Sequence, residues 1–557
     1  VKVGCSFHPK PFLTPNLSSL VSSSLSEINQ TIEEFRQQYN IRSISISIDV
    51  QNQNVFSQGY GHTKGRYLGQ PVSASSLYRI GSVSKVFTDL LLVKLVDDPQ
   101  NTLDLSTLIS TIEPLFSIGS GGFDNRSISL EQLGSHMAGL SREGPCFPFS
   151  PLNVFQGCNV TSKEIYTRLR QNETMILPTE TQPSYSNLGF ACLGNALGRF
   201  TNNKCSLYDA CLKQGFPPNT CYFICSVNEY IIEPLQLDAG FLYTPDLVWG
   251  FAESLPVPWF DLGWLAPAGQ MYASAESLSK MLQYIMNNVF DEKSPLQLSS
   301  SLARKWLQPR YINADGNSGY GMPWEMKRTT THDGSSYWEW QKGGYVPGFT
   351  TEVSMVADLR MSMALNLAAG PPTVASTLGR KISSIMVDAL HHLNVKKSLP
   401  IYQLNPPGLN SDLLLGKYRM IASPLPGVDL SFLHAFTKSQ SYHLTEINLS
   451  LHNVTIQNRQ ERVYHIHGTA LNGTITALSR YMTFKTNNKP HPNTSHSNTF
   501  IFQTIPLPHD DLSTYQTSCT GLEGGEYFQT VFIRVLSNNR VQLELPGIFW
   551  GFVFEKD

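Results

Sequence analysis

The chain is short of charge, and the charge it has is nearly balanced. Charged residues occupy 15% of the 557 positions, and 41 Lys and Arg stand against 43 Asp and Glu, a formal net charge of −2. Nucleic-acid-binding proteins usually gather an excess of basic residues into a patch, so that class is not expected. Apolar residues reach 41% and aromatic residues 11%, which is enough to bury a large core and excludes global disorder.

Long apolar runs are missing as well. No uncharged apolar stretch approaches the roughly 18 residues that a membrane-spanning helix needs, so no transmembrane segment is expected in the sequence. Position 1 is Val1 and no signal-peptide pattern follows it. We therefore expect that a targeting segment has been cleaved or left out.

Two features favour the secretory route and an extracellular location. The first is a modest excess of N-x-[S/T] glycosylation sequons, which begin at Asn16, Asn29, Asn125, Asn159, Asn172, Asn448, Asn453, Asn472 and Asn493. The second is the clustering of cysteines, because clustered cysteines in loops indicate disulfides in an oxidising compartment.

The cysteine spacings predict how the thiols are used. Four of them fall in one short insertion, Cys205–Cys225, and Cys146 and Cys158 bracket a Pro-rich loop. The C-x5-C and C-x3-C spacings of the insertion do not suit zinc, so disulfides are predicted. Cys5 and Cys519 could pair with each other, with the connectivity left open, and Cys192, in the apolar stretch GFACLG, is predicted to be a buried free thiol.

Hydrophobic periodicity predicts a sheet made from both ends of one domain. An amphipathic helix is predicted over 17–38 and a half-buried strand over 44–50. Residues 100–330 contain helical stretches between Pro- and Gly-rich loops, before strand signals return at Ser336–Gly343 and in a hairpin around Ala357–Leu359. A helix over 372–394 follows. This order predicts an inserted helical lobe and a cleft between the lobe and the sheet.

A change of pattern near residue 400 predicts a second domain. The first domain is expected over 1–398, a linker over 399–411, and an antiparallel β domain, sandwich or barrel, over 412–557. Short alternating strands there flank a turn at Asn538–Asn539. Two roles stay open for this domain, namely capping the cleft and mediating homo-oligomers.

Ser82 and Lys85 form an S-x-x-K motif at the predicted start of a helix that must end before Pro99. A spacing of three places both side chains on one face. A desolvated lysine has a lowered pKa and can take the serine proton, while the helix N-terminus favours a developing oxyanion. Alone the motif is weak, because Ser82 could simply cap the helix and because Ser277–Lys280 matches the same pattern.

Two further motifs follow in order. Tyr185-Ser186-Asn187 begins 103 residues after Ser82, and Lys342-Gly343-Gly344 begins 157 residues after Tyr185. This order resembles the three signature motifs of the serine β-lactamase and penicillin-binding protein superfamily, and most closely its class C β-lactamase and D-aminopeptidase-like branch. The flanking segments are similar too, over roughly residues 20–395: YRIGSVSK from Tyr78, LGSHMAGL from Leu133, IEPL from Ile232 and PAGQMYAS from Pro267.

The resemblance implies the fold and the catalytic roles. It implies an α/β (α+β) unit in which an antiparallel sheet is flanked by helices and carries an inserted helical lobe. Ser82 would form an acyl-enzyme, and Lys85 and Tyr185 would handle its proton, with the choice of general base left open. Lys342 would add positive potential beside Tyr185. Read separately, Tyr185 could be a core aromatic and Lys342 a solvated strand lysine.

The resemblance also implies the residues that bind substrate. Asn187 would hydrogen-bond the ester or amide side of the substrate, and Gly344 would let the strand backbone approach it, since a side chain there would block it. The backbone N–H groups of Ser82 and Tyr345 would form the oxyanion hole.

One departure from the family pattern bears on the substrate. Family members that act on β-lactams usually carry Thr or Ser where this chain has Gly343, and that hydroxyl helps to hold a substrate carboxylate. Hydrolysis of β-lactams or of D-Ala-D-Ala is therefore not expected. The expected substrate is another ester or amide, either a small molecule or a peptide. The alternative is a catalytically silent relative that binds a ligand or self-associates.

Other motifs predict no further chemistry. The sequence contains no G-x-S-x-G, which disfavours an α/β-hydrolase, and the GSGG run at 119–122 lacks the Lys-Ser/Thr of a phosphate-binding loop. His465 and His467 form H-x-H without an evident third ligand, and His136 is expected to be structural. No metal or cofactor is expected.

Overall fold

The computed structural model divides the chain into two compact units, Val1–Ser398 and Leu399–Asp557. It describes residues 17–64, 69–118, 127–143, 158, 160–172, 175–250, 261–290, 293–371, 373–397, 416–422, 443–456, 459–470, 473–481, 498–505, 530–535, 540–545 and 552–556. Several expectations lie outside these residues: the pairing of Cys5 with Cys519, the linker over 399–411, the GSGG run and the turn at Asn538–Asn539.

The first unit mixes helices and antiparallel strands, as expected. Its described helices are α1 (Leu17–Leu20), α2 (Ser22–Gln38), α3 (Ser84–Asp97), α4 (Ile109–Ile112), α5 (Leu130–Gly134), α6 (Ser162–Asn172), α7 (Asn187–Thr201), α8 (Tyr208–Lys213), α9 (Pro218–Val227), α10 (Glu233–Leu235), α11 (Ala266–Gly269), α12 (Ala275–Val289), α13 (Ser300–Trp306) and α14 (Val374–Lys397). Its described strands are β1 (Ser43–Val50), β2 (Gln53–Gly61), β3 (Leu77–Arg79), β4 (Ala239–Gly240), β5 (Tyr272–Ser274), β6 (Tyr311–Ile312), β7 (Ser318–Tyr320), β8 (Glu325–Thr330), β9 (Ser336–Val346), β10 (Phe349–Val356) and β11 (Met361–Ala368).

The main sheet joins the two ends of this unit, which confirms the prediction from periodicity. The order of its described strands is β2-β1-β11-β10-β9-β8-β7-β6, and neighbouring strands run antiparallel. The predicted hairpin is β10–β11, joined by a single 3₁₀ turn at Ala357–Leu359. Most helices of the described chain lie between β2 and β6 in sequence, where the insertion was expected, although α12 of this segment packs on the main sheet itself. The predicted first helix is divided in two by a turn at Val21.

The prediction that β1 is half-buried is wrong, because both faces of this strand are covered. Ile44 and Ile48 pack in the core cluster that also contains residues of α2 and α14. On the other face Ser45 and Ser47 are also buried, since α12 packs on that side. Ser45 donates a hydrogen bond to the carbonyl oxygen of Ser73 at 2.7 Å, so its buried hydroxyl is satisfied.

The cysteine-rich insertion forms two disulfides, as predicted. Cys211 of α8 is bonded to Cys221 of α9, and Cys205, which precedes α8, is bonded to Cys225 of α9. Cys158 is also disulfide-bonded. Cys192 is a buried free thiol, which confirms that expectation. Within the described ranges, no helix has the length and apolar character needed to cross a membrane.

The second unit is a closed antiparallel barrel. Its described strands are β12 (Gly416–Ala422), β13 (His443–Ile456), β14 (Arg459–Ala470), β15 (Gly473–Tyr481), β16 (Asn498–Ile505), β17 (Thr530–Val535), β18 (Val541–Leu545) and β19 (Phe552–Lys556). Each pairs with the next, and pairing of β12 with β19 closes the ring. Closure removes unpaired strand edges, which otherwise invite association with other chains.

Candidate active site

Ser82 lies in a tight turn between β3 and α3. The turn is a single 3₁₀ turn over Gly81–Val83, so the α-helix starts two residues later than Ser82, at Ser84. Gly81 has a φ of +50°, and a Cβ there would lie 2.6 Å from the backbone nitrogen of Tyr345. Glycine is therefore required for the turn to approach β9. The hydroxyl of Ser82 does not cap the helix, because no side-chain cap hydrogen bond is made there.

Two side chains from other parts of the sequence meet the hydroxyl of Ser82. Lys85 Nζ donates to Ser82 Oγ at 3.0 Å, and the Tyr185 hydroxyl donates to the same oxygen at 2.7 Å. Tyr185 is 103 residues away in sequence, so only the fold brings it there. Either partner, once deprotonated, is placed to accept the serine proton over a normal hydrogen-bond distance.

Lys85 is fully buried, and all three of its N–H donors are used. Besides Ser82, it donates to Asn187 Oδ1 and to the carbonyl oxygen of Ala268, each at 2.7 Å. Burial lowers the pKa of Lys85, and the neighbouring Lys342 ammonium lowers it further, against the opposing effect of Tyr185. The neutral amine that a general base requires is thus more accessible than in a solvated lysine.

Tyr185 is held among cationic groups. Burial raises the pKa of its phenol, but Lys342, Lys85 and the hydrogen bond with Ser82 outweigh burial and lower the pKa to about 8. Lys342 Nζ lies 5.1 Å from the centroid of the ring and the Arg142 guanidinium 4.7 Å from it. The phenolate is therefore reachable close to neutral pH, which is what a tyrosine base requires.

Lys342 is 1% exposed, so the interpretation of it as a solvated strand lysine is wrong. It donates to Glu325 Oε1 at 2.5 Å and to the carbonyl oxygen of Gly343 at 3.2 Å. Burial lowers the pKa of Lys342, but Glu325 and Tyr185 outweigh it and the net pKa is raised. Lys342 therefore stays cationic beside Tyr185, as the motif implies.

Asn187 begins α7, with Ser186 as the N-cap whose hydroxyl accepts from the Gly189 N–H at 2.8 Å. Both polar atoms of the Asn187 amide have protein partners. Its Oδ1 accepts from Lys85, and its Nδ2 donates to Glu143 Oε1 at 2.7 Å. The residue expected to contact substrate is thus also a structural link to the lysine.

Gly344 is needed for a different steric reason from the one expected. A Cβ at this position would lie 2.0 Å from the carbonyl oxygen of Ile80 and 3.2 Å from the nitrogen of Ser82. The clash is with the backbone of the nucleophile turn, whereas the motif implied a clash with substrate. The backbone nitrogens of Ser82 and Tyr345, the expected oxyanion-hole donors, both lie where β9 approaches the nucleophile turn. The Tyr345 side chain is 50% exposed.

We expect Gly344→Ala to disturb both stability and activity. Backbone atoms must move to admit the methyl group, which costs about 1–3 kcal/mol of unfolding free energy. Displacing one oxyanion donor lowers kcat by about 10²- to 10³-fold. Thermal unfolding and ester hydrolysis measure the two effects. Gly370→Ala is the control, since a Cβ there makes only an ordinary contact with Ile41 at 3.5 Å; equal behaviour of both variants would contradict the assignment.

The structure adds residues that the motifs did not indicate. His136 stacks on Tyr185 with ring centroids 4.4 Å apart, and its Nδ1 accepts from the Ser186 N–H at 3.0 Å. Burial and the Lys85 charge hold the pKa of His136 well below its usual value, so a neutral ring supports Tyr185, in line with its expected structural role. Glu143 and Glu325 have no signal in the sequence, because they act through contacts between separate elements.

The second S-x-x-K match is structural. Ser277 Oγ accepts from the Asp238 N–H at 2.8 Å, and Lys280 Nζ lies over the ring of Tyr284, 5.8 Å from its centroid. The two side chains share no hydrogen bond among the described residues.

Comparison with known proteins gives the class. Residues 28–382 match the family model described as beta-lactamase, and the chain belongs to this family. It is 27% identical to beta-lactamase-like protein 2 of Dictyostelium discoideum over 65% of this chain and 62% of that protein. It is 22% identical to the unguisins hydrolase of Aspergillus campestris over 59% of each chain. The chain thus spans about three-fifths of the length of these relatives.

Solved structures agree on the fold of the first unit. A beta-lactamase/D-alanine carboxypeptidase from Yersinia pestis, complexed with citrate, superposes with a TM-score of 0.52 at 18% identity over 67% of this chain and 100% of that one. An octameric penicillin-binding protein homologue from Pyrococcus abyssi gives a TM-score of 0.52 at 15% identity over 96% of this chain and 100% of that one.

Proposed function

We propose that the chain is a serine hydrolase that cleaves an ester or amide through an acyl-Ser82 intermediate. The observation that carries the proposal is the convergence of Lys85 and Tyr185 on one hydroxyl oxygen, at 3.0 and 2.7 Å. Membership of the beta-lactamase family and the hydrolase names of some relatives support it.

The proposed reaction has two stages. Lys85 or Tyr185 takes the proton of Ser82 as Oγ attacks the carbonyl carbon, and the oxyanion is held by the N–H groups of Ser82 and Tyr345. The proton passes to the leaving group, the carbon–heteroatom bond breaks, and the acyl group stays on Ser82. Water, deprotonated by the same base, then attacks the acyl carbon, the bond from that carbon to Ser82 Oγ breaks, the acid leaves, and Oγ takes the proton back from the base.

The substrate is proposed to lack a carboxylate beside the scissile bond. Gly343 supplies no hydroxyl, and the direction in which its side chain would point leads to Glu352, whose Oε2 would lie 3.2 Å from a Cβ. Burial and the nearby Glu325 charge raise the pKa of Glu352 to about 8, against the lowering effect of Lys342. Glu352 is therefore mostly protonated and uncharged at neutral pH, and what supports the proposal is that Gly343 has no hydroxyl with which to hold a carboxylate.

We expect the wild-type enzyme to prefer a neutral substrate. The test uses two esters that are identical except for the group next to the scissile bond, which is a carboxylate in one and its methyl ester in the other. We expect kcat/KM to be at least about tenfold higher for the methyl ester. The reason is that Gly343 cannot donate a hydrogen bond to the carboxylate, and one hydrogen bond to a charge contributes about 1.5–3 kcal/mol. Gly343→Ser should narrow this ratio, and Gly343→Ala, which adds the same Cβ without the hydroxyl, should not. A wild-type preference for the carboxylate would overturn the proposal.

A silent binding protein is the second candidate, because Gly343 lacks the expected hydroxyl. Turnover of simple p-nitrophenyl esters that is lost in Ser82→Ala would decide against it.

We also propose an extracellular location, supported by the disulfides Cys205–Cys225 and Cys211–Cys221. Self-association is proposed by analogy with the octameric relative, and light scattering of the intact protein tests it.

A further inference from the structure

Glu143 is joined to the nucleophile by a continuous line of hydrogen bonds. Its Oε1 accepts from Asn187 Nδ2 at 2.7 Å, and Asn187 Oδ1 accepts from Lys85 Nζ at 2.7 Å. Lys85 then donates to Ser82 Oγ at 3.0 Å. Nothing in the three motifs includes Glu143, which follows the LGSHMAGL segment by three residues.

The line fixes which way the amide of Asn187 faces. An amide has an acceptor end and a donor end. If it rotated by half a turn, its NH₂ would face the Lys85 ammonium and its oxygen would face the Glu143 carboxylate. Both contacts would be repulsive, and two charge-assisted hydrogen bonds would be lost. The carboxylate thus selects the orientation in which Asn187 can hold Lys85.

The position of Glu143 is itself fixed by the backbone. The Asn187 N–H donates to the carbonyl oxygen of Arg142 at 2.8 Å, and Ser186 Oγ donates to the carbonyl oxygen of Ser141 at 2.7 Å. The Ser141 hydroxyl donates to the carbonyl oxygen of Glu143 at 2.8 Å. The start of α7 and residues 141–143 therefore form one assembly, and the Glu143 side chain is only 25% exposed.

We propose that Glu143 is a positioning residue of the proposed hydrolysis: it orients the Asn187 amide, and through it holds Lys85 against Ser82. The inference rests on the proposed function, because it concerns the step in which the Ser82 proton is removed. Its carboxylate also acts on Lys85 by charge. The other ionisable groups that lie close to Lys85 or Glu143 are Tyr185, Lys342, His136, Asp89 and Arg142, whose Nε lies 3.4 Å from Glu143 Oε1.

Glu143→Gln and Glu143→Ala separate orientation from charge. Gln keeps an oxygen that can accept from Asn187 Nδ2, so its kcat should stay within a few-fold of wild type. Ala leaves the Asn187 amide free to rotate, so Lys85 is no longer held in place. A misplaced catalytic group lowers the rate roughly 100-fold, so kcat should fall by about that factor with KM little changed. Both variants lose a negative charge that stabilises the protonated base, so the acid limb of the kcat/KM profile should move to lower pH in both.

Several results would overturn the proposal. Equal losses in the Gln and Ala variants would show that charge alone matters, and full activity in Glu143→Ala would show that Asn187 needs no orienting partner. If Glu143→Ala does not fold, Glu143→Gln still decides, since an unshifted acid limb or a large loss of kcat contradicts the inference. Glu27→Ala, at an exposed site on α2, is the control and should change neither quantity.

Failure of this inference is distinguishable from failure of the proposed function. If Ser82→Ala abolishes hydrolysis while Glu143→Ala does not reduce it, only the positioning role is wrong. If Ser82→Ala retains the activity, the proposed function fails first, and the Glu143 variants then report on another site.

Discussion

Ser82→Ala is expected to lower kcat for ester hydrolysis by about 10⁶-fold, the loss typical of removing a nucleophile. The reason is that the oxygen approached by both Lys85 and Tyr185 is deleted, so no acyl-enzyme forms. The fold should persist, because Ser82 caps no helix and the change removes one hydroxyl. Turnover of a p-nitrophenyl ester by purified wild type and variant, with thermal unfolding of both, measures the effect.

The chain supplies its own control for this prediction. Ser277 belongs to the second S-x-x-K match, and its hydroxyl accepts only a backbone hydrogen bond, from Asp238. Ser277→Ala is therefore expected to keep its activity while losing some stability, since the partly buried N–H of Asp238 loses its acceptor. If Ser82→Ala hydrolysed the ester as fast as Ser277→Ala, the nucleophile would be another residue.

Lys85→Met is expected to lower kcat/KM by about 10²- to 10⁴-fold, the range of a general base. The loss follows whichever group is the base. If Lys85 takes the proton, the base is gone. If Tyr185 takes it, the phenol loses the Lys85 charge that helps to lower its pKa to about 8.

The pH dependence of the remaining activity separates these cases. A base works when deprotonated, so activity rises with pH through its pKa. Without Lys85 the pKa of Tyr185 moves up, and if Tyr185 is the base the acid limb of Lys85→Met lies at higher pH than that of the wild type. Lys280→Met, in the second S-x-x-K match, is the control and should change neither kcat/KM nor the position of the acid limb. Wild-type rates in Lys85→Met would contradict any role for the lysine.

Local patterns in the sequence predicted the parts of the site that are themselves local. The S-x-x-K spacing placed Lys85 beside Ser82, and the alternation of apolar residues in β1 and β10–β11 predicted a sheet from both ends of the first unit. The strands β3, β4 and β5 are only two or three residues long, too short for a periodic signal, and they were not predicted.

The sequence could not predict the contacts that are made between separate elements. Glu143 reaches Asn187, and Glu325 reaches Lys342, only after the lobe and the sheet have folded together. Gly344 was identified by its motif, but the atom that excludes a side chain, the carbonyl oxygen of Ile80, lies in a different segment. The same is true of β1: its alternating pattern predicts serines that face solvent, but α12 covers them.

The central claim is that one hydroxyl, that of Ser82, forms the covalent intermediate. Mass spectrometry of the whole protein after reaction with a fluorophosphonate, followed by peptide mapping, tests this most directly. We predict one added group per chain, located on Ser82 and absent from Ser82→Ala. A group located on another residue, or equal labelling of the wild type and Ser82→Ala, would contradict the account.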